Sequence, residues 1–178
     1  MYAVNELMKN YGATAVFCTA TQPPLEQFFP KPVNPKELAP DPQSLFNFYK
    51  RVQVSFVGKL TDDELTERLH RSPQALCIVN TRKHARGLFK GLVEEGRFHL
   101  STLMCPAHRK ETIAEIQQRL ADGQPCRVVS TQIMEAGINI DFPLGYRSLS
   151  GLDSIIQAAG RVNREGRSAL GVLYVFDP

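Results

Sequence analysis

Ala75-Leu-Cys-Ile-Val79 is a run of consecutive apolar residues that stops on Asn80-Thr81. A strand with no polar face must be covered on both sides, which is the situation of a parallel sheet carrying helices on both faces. The neighbouring segments alternate accordingly. Arg51-Val-Gln-Val-Ser-Phe-Val57 alternates apolar and polar as a half-exposed strand does, and Thr61-Asp-Asp-Glu64 is a capping box opening a helix that buries Leu65 and Leu69. Residues 82 to 95 follow as a helix and Phe98 to Leu103 as a strand. Arg109 to Leu120 forms a helix with Ile113, Ile116 and Leu120 inward and Gly123 as its stop. Cys126-Arg-Val-Val129 is the next strand, Tyr146 to Leu149 a short one, and Leu170 to Phe176 the last. The expected fold class is α/β, a mostly parallel sheet flanked by helices on both faces.

Upstream, residues 2 to 11 read as the end of a helix with Val4, Leu7, Met8 and Tyr11 as its apolar stripe, and Ala13 to Cys18 as a short buried strand. Seven of the twelve prolines fall between Pro23 and Pro42, which stops any helix or central strand. The expected division is a remnant of a preceding α/β domain at 1–22, a Pro-rich linker at 23–45 and a domain of its own at 46–178. At 178 residues and 43% hydrophobic, the chain is long enough for one domain with a sizeable buried core plus an extra segment. A net charge of +3 excludes a polybasic coat and leaves room for a local cationic groove. Cys18, Cys77, Cys105 and Cys126 form no CxxC pair and read as reduced core thiols of a cytoplasmic protein. Cys105 and His108 are half of a zinc-ligand set with no second pair at suitable spacing, so no metal is expected. No apolar run approaches 18 residues and no charged leader precedes one, so neither a membrane span nor a secretory signal is expected.

Gln157-Ala-Ala-Gly-Arg-Val-Asn-Arg-Glu-Gly-Arg167 carries three arginines in eleven residues. A helix running through Arg164 would set Gln157, Arg161 and Arg164 on one face and Leu152, Ile155, Ile156 and Ala159 on the other, with Gly160 allowing close approach to the backbone. Guanidinium forks suit phosphate oxygens, whereas on spacing alone an ordinary surface helix with solvated arginines fits equally. In open α/β sheets ligands bind outside the carboxyl ends of the strands. Those ends carry Thr19 to Gln22, Asn80 to Arg82, His108 and Arg109 after a loop, and Ser130 to Gln132. These are short donors and cations suited to phosphate or a nucleic-acid backbone, although each alone could be a helix cap.

Jointly, Phe17-Cys-Thr-Ala-Thr-Gln-Pro23, Val129-Ser-Thr-Gln-Ile-Met-Glu-Ala-Gly-Ile-Asn-Ile-Asp-Phe-Pro143 and Gly151-Leu-Asp-Ser-Ile-Ile-Gln-Ala-Ala-Gly-Arg-Val-Asn-Arg-Glu-Gly166 resemble the coupling, fifth and sixth motifs of superfamily-2 helicases. More narrowly, they resemble the helicase-nuclease of type I CRISPR systems. The resemblance implies a RecA-like, P-loop NTPase-type helicase C-terminal domain that completes an ATP site built mainly by a first motor domain. By matched position it implies that Arg161 and Arg164 are arginine fingers, and that Gln157, Gly137, Asn139 and Gly160 lie at the nucleotide. Asn139 stands where the wider superfamily commonly has a ribose-binding Asp.

It further implies nucleic-acid contacts at Asn80, Thr81, Arg82, His108, Arg109, Ser130, Thr131 and Gln132, and a relay of hydrolysis to strand movement at Thr19, Ala20 and Thr21. ATP and Mg are the implied cofactors. Single-stranded DNA, the first RecA-like and nuclease domains and the CRISPR surveillance complex are the implied partners, in antiviral defence. The sequence holds no Gly-x-x-x-x-Gly-Lys-Ser/Thr loop, no Asp-Glu-x-His and no His-Asp pair, so the chain by itself is expected to hydrolyse no ATP and cut no DNA. A non-catalytic nucleic-acid- or protein-binding subunit or split-gene fragment, and an RNA helicase domain of the same superfamily, are the alternatives.

Overall fold

The computed structural model describes residues 2–18, 36–131 and 139–178. The chain divides into two units, Met1–Phe46 and Asn47–Pro178. In the first, α1 (Tyr2–Asn10) closes where the Tyr11 and Ala13 N–H groups both donate to the Leu7 carbonyl, across Gly12 at φ +63°. The strand that the apolar run Ala13–Cys18 suggests is not formed, and Val16 and Cys18 are exposed. A strand needs a neighbour for its N–H and C=O groups, and the described residues of this unit offer none. Helix α2 (Pro42–Phe48) starts on Asp41, whose carboxylate accepts the Ser44 N–H at 3.0 Å.

The second unit runs β1 (Val52–Lys59), α3 (Asp62–Arg71), β2 (Gln74–Ile78), α4 (Arg82–Gly91), β3 (Arg97–Leu100), α5 (Pro106–Ala121), β4 (Cys126–Ser130), β5 (Leu144–Ser148), α6 (Leu152–Ala159) and β6 (Gly171–Asp177). The strands form one sheet in the order β1-β6-β5-β2-β4-β3, and every neighbouring pair is parallel. β2 lies inside the sheet, as its apolar run demands. Its Leu76 and Ile78 pack with Ile116 of α5 and Ala158 of α6, while its Ala75, Cys77 and Val79 pack with Leu65, Leu69, Ala85 and Leu88 of α3 and α4. Each such large aliphatic side chain contributes roughly 1.5–3 kcal/mol by leaving water.

Helix ends are closed by local and by distant groups. At α3, Thr61 Oγ1 accepts the Glu64 N–H at 3.3 Å and Glu64 Oε2 accepts the Thr61 N–H at 2.9 Å. That backbone donor, with the Thr61 hydroxyl second, holds the Glu64 carboxyl below its ordinary value. At the other end of α3, Arg127 from β4 donates to the Leu69 and His70 carbonyls at 2.9 and 3.2 Å. Gly123, at φ +68°, ends α5 as a left-handed stop.

Two sequence expectations fail here for physical reasons. The helix that the Gln157-Arg161-Arg164 spacing suggests stops at Ala159, with Gly160 as its C-cap rather than an interior residue. The Arg161 and Val162 N–H groups bond back to Ala158 and Ala159 in a tightened last turn, and Asn163 then adopts φ +46°. With the helix shortened, Ile155, Ala158 and Ala159 face the core, while Leu152 is 71% and Ile156 42% exposed. The thiols also divide. Cys77 and Cys126 are buried, and burial pushes both up to about 12, whereas Cys18 and Cys105 lie on no strand and are exposed.

Candidate functional site

In an all-parallel sheet, residues that precede strands and residues that follow them lie at opposite ends. Asn80 and Thr81 follow β2, Thr131 follows β4, and His108 and Arg109 sit in the first turn of α5 after β3, all at the carboxyl end. Asn139, Gly160, Arg161 and Arg164 precede β5 or β6, at the amino end. A five-residue strand separates the two sets by roughly 16 Å. The sequence therefore carries two groups of candidate residues where strand-end reasoning suggested one.

At the amino end, residues 161–163 lie beside residue 142 as a parallel bridge. The Phe142 N–H donates to the Arg161 carbonyl at 3.0 Å and the Asn163 N–H to the Phe142 carbonyl at 2.8 Å. Arg161 is buried, 9% exposed. Burial first, and the charge of Arg164 second, lower its guanidinium below the ordinary arginine value, and it remains a cation at neutral pH. Arg164 is exposed, and its guanidinium enters no ion pair among the described residues. Its backbone is held: the N–H donates to Asp141 Oδ1 at 2.7 Å, and the carbonyl accepts from Arg51 Nη1 at 2.8 Å. Arg167 is paired with Glu165 at 2.6 Å.

Asn163, 2% exposed, closes this turn. Its Nδ2 donates to the Arg51 and Ser168 carbonyls at 3.0 and 2.8 Å, and its Oδ1 accepts the Ser168 N–H at 3.0 Å. Asp141, Asn163 and Arg51 hold this turn and were missed by pattern reading. The signal was present only for Asn163, since Asn is one of the few residues that tolerate a left-handed backbone. Gln157 is exposed on α6, and Asn139 is exposed with its carbonyl accepting Gln117 Nε2 at 2.7 Å. A cavity of about 180 Å³ opens beside the turn between Gln117, Asn139, Asp141, Glu165 and Arg167.

At the carboxyl end, Asn80 is engaged through both ends of its amide. Nδ2 donates to Ser148 Oγ at 3.2 Å and the Leu149 carbonyl at 2.8 Å, and Oδ1 accepts from Arg147 Nη1 at 2.7 Å. Arg147 is fully buried, a guanidinium inside a sheet that the apolar pattern gave no reason to expect. Thr81 caps α4 by accepting the His84 N–H at 3.2 Å. Arg82 and His108 are exposed, and Arg109 is half-buried. Ser130 is fully buried, with its hydroxyl donating to the Thr131 carbonyl at 2.9 Å, and Thr131 is 7% exposed, so these two shape the strand end rather than its surface. Thr19, Ala20, Thr21, Gln132 and Gly137 lie outside the described residues. No cluster of metal-ligating side chains occurs among the described residues.

A six-stranded parallel sheet covered by helices on both faces, with an arginine turn before its last strand, defines a RecA-like α/β domain. Residues 71–167, just over half of the chain, match the family model "CRISPR-associated nuclease/helicase Cas3, C-terminal", and the chain belongs to that family. A CRISPR-associated nuclease/helicase Cas3 of Methanothermobacter thermautotrophicus is 27% identical over 175 residues, covering 89% of this chain and 21% of that protein. One of Haloferax volcanii is 39% identical over 56 residues, covering 31% of this chain and 6% of that protein. The crystal structure of T. fusca Cas3-AMPPNP superposes with a TM-score of 0.60 at 19% identity, covering 72% of this chain and 18% of that one, a likeness of fold. The chain thus spans about a fifth of the Methanothermobacter protein's length. Among the described residues no helix is long and apolar enough to cross a membrane.

Proposed function

We propose that residues 46–178 are the second motor domain of an ATP-driven translocase on single-stranded DNA, working in CRISPR defence, and that residues 1–22 derive from the first motor domain, joined through a linker at 23–45. The observation that carries this reading is the pairing of a buried Arg161 with an exposed Arg164, which forms no ion pair among the described residues, on a turn whose backbone is fixed. Such a pair suits the terminal phosphate of ATP, whose γ-phosphoryl supplies the group transferred to water. Arginines delivered across an interface raise phosphoryl-transfer rates by about 10³–10⁵. The adjoining cavity, about 180 Å³, is smaller than the roughly 300–1,000 Å³ of complete small-molecule sites, which fits half of a shared cleft. In this reading Gln157, Gly137, Asn139 and Gly160 line the nucleotide side, while the phosphate loop and the magnesium ligands belong to the first motor domain.

The carboxyl-end residues Asn80, Thr81, Arg82, His108 and Arg109 are then the DNA grip, with Ser130, Thr131 and Gln132 forming the strand end beneath it and Thr19 to Thr21 coupling the two motor domains. Solved structures of T. fusca Cas3 with AMPPNP, ADP and ATP, of a DNA-bound DUF1998 helicase MrfA and of a CRISPR RNA-guided surveillance complex are fold relatives that support this assignment of partners. The test is complementation. The purified chain should turn over no ATP, and adding a family first motor domain that carries a phosphate loop should produce DNA-stimulated ATPase. Arg161→Ala or Arg164→Ala should cut that activity by about 10³-fold or more, to a low residual rate, with DNA affinity nearly intact. ATPase that never appears, together with DNA binding that falls in the arginine variants, would favour a non-catalytic binding module.

A further inference from the structure

We infer that Asp141 is a positioning residue that aims Arg164 by holding its backbone. The inference rests on the reading of Arg164 as phosphate-facing. Two oxygens of one carboxylate accept two consecutive backbone N–H groups, Arg164 at 2.7 Å and Glu165 at 3.2 Å. Arg51 Nη1 in turn donates to the Arg164 carbonyl at 2.8 Å. Both polar groups of the Arg164 backbone are therefore held by side chains far away in sequence. Within the turn itself the only backbone closure is the Gly166 N–H on the Asn163 carbonyl at 3.0 Å.

An exposed turn closed by one such bond would leave its amides to water, which fixes no direction. The carboxylate supplies a charge-assisted anchor, roughly twice as strong as a neutral hydrogen bond. Its own base is rigid, because the adjoining Phe142 is fully buried and bridged to Arg161 and Asn163 on both sides of its peptide. With the Cα of Arg164 fixed, only the side chain remains to be ordered when a phosphate arrives. Displacement of a catalytic group by about 1 Å can cost about 10²-fold in rate. The same segment therefore carries two separate duties: Asn139 stands beside the nucleotide in the proposed reading, and Asp141 faces the turn.

The test has two arms. In the chain alone, Asp141→Ala should speed amide hydrogen exchange at Arg164 and Glu165 by about tenfold or more and leave the β5 and β6 amides unchanged. Asp141→Asn, which keeps one acceptor oxygen, should lie between. Unchanged exchange at both amides overturns the inference. In the complemented ATPase, Asp141→Ala should lower kcat by about tenfold or more with KM for ATP within about twofold, and the double variant with Arg164→Ala should be no slower than Arg164→Ala alone. Losses that multiply, or a loss confined to KM, overturn it. If Arg164→Ala itself leaves kcat intact, the phosphate-facing reading fails, and the exchange arm still decides whether Asp141 holds the turn.

Discussion

Asn163 and Arg164 are adjacent, and the structure gives them opposite kinds of importance. Asn163 is 2% exposed, makes three side-chain hydrogen bonds that tie the turn to the Arg51 carbonyl and to Ser168, and holds φ +46°. At about 1 kcal/mol net for each bond, Asn163→Ala loses about 3 kcal/mol, and the left-handed backbone adds about 1 kcal/mol for a residue without Asn's tolerance. Arg164 is exposed and without an ion pair among the described residues, so Arg164→Ala should stay within about 0.5 kcal/mol of the parent. Urea unfolding of both variants measures the difference. With a slope of about 2 kcal/mol/M, Asn163→Ala should lower the midpoint by roughly 1.5–2 M, and Arg164→Ala should leave it nearly in place. A loss below about 1 kcal/mol for Asn163→Ala, or an equal loss for the two, would refute the division of the turn into a structural and a presented residue.

Two further outcomes follow from burial. In the folded protein a thiol reagent at mildly alkaline pH should label Cys18 and Cys105 and spare Cys77 and Cys126 until urea is added; rapid labelling of all four would contradict the packing of β2 and β4. His99 stacks at 5.5 Å on Phe89 with its Nε2 buried, and burial, then the charge of Arg86, lowers its imidazole below the ordinary value. The folded state thus binds its proton less readily than the unfolded state. Its contribution is present above about pH 6.5 and is lost as pH falls through the lowered folded value, so His99→Phe should flatten the loss of stability measured between pH 7 and 5.

The residues that were legible in the sequence are those whose partners are close in the chain or whose environment is uniform. Thr61 and Glu64 announce the start of α3 because the capping box lies within four residues, and Ala75 to Val79 announces a central strand because both of its faces are covered. The end of α6 was not legible. Nothing near Gly160 forbids another helical turn, and it is Phe142, Asp141 and Arg51 that capture the backbone at 161–165 instead. The division of candidate residues between the two sheet ends does not depend on strand order: in a parallel sheet residues before a strand and after it lie at opposite ends, so it needed only the strand bounds and the early end of α6. Arg147 was hidden because a buried arginine contradicts the apolar pattern, and its bond to Asn80 crosses from β5 to the end of β2.

The strand order also dictates an order of assembly. β1 has β6 as its neighbour in the sheet, with Val52 opposite Gly171, so it waits for a segment more than a hundred residues later in the chain. β2, β3, β4 and β5 can pair with one another well before that. The Arg51 bond to the turn waits with β1, because Arg51 precedes that strand directly. A chain under synthesis would therefore hold a four-stranded sheet with an open edge at β5, and the arginine turn would gain its second clamp only in the step that docks β6 and seats β1. Folding and completion of the candidate site are then one late event, and a cut before Gly171 should remove both at once.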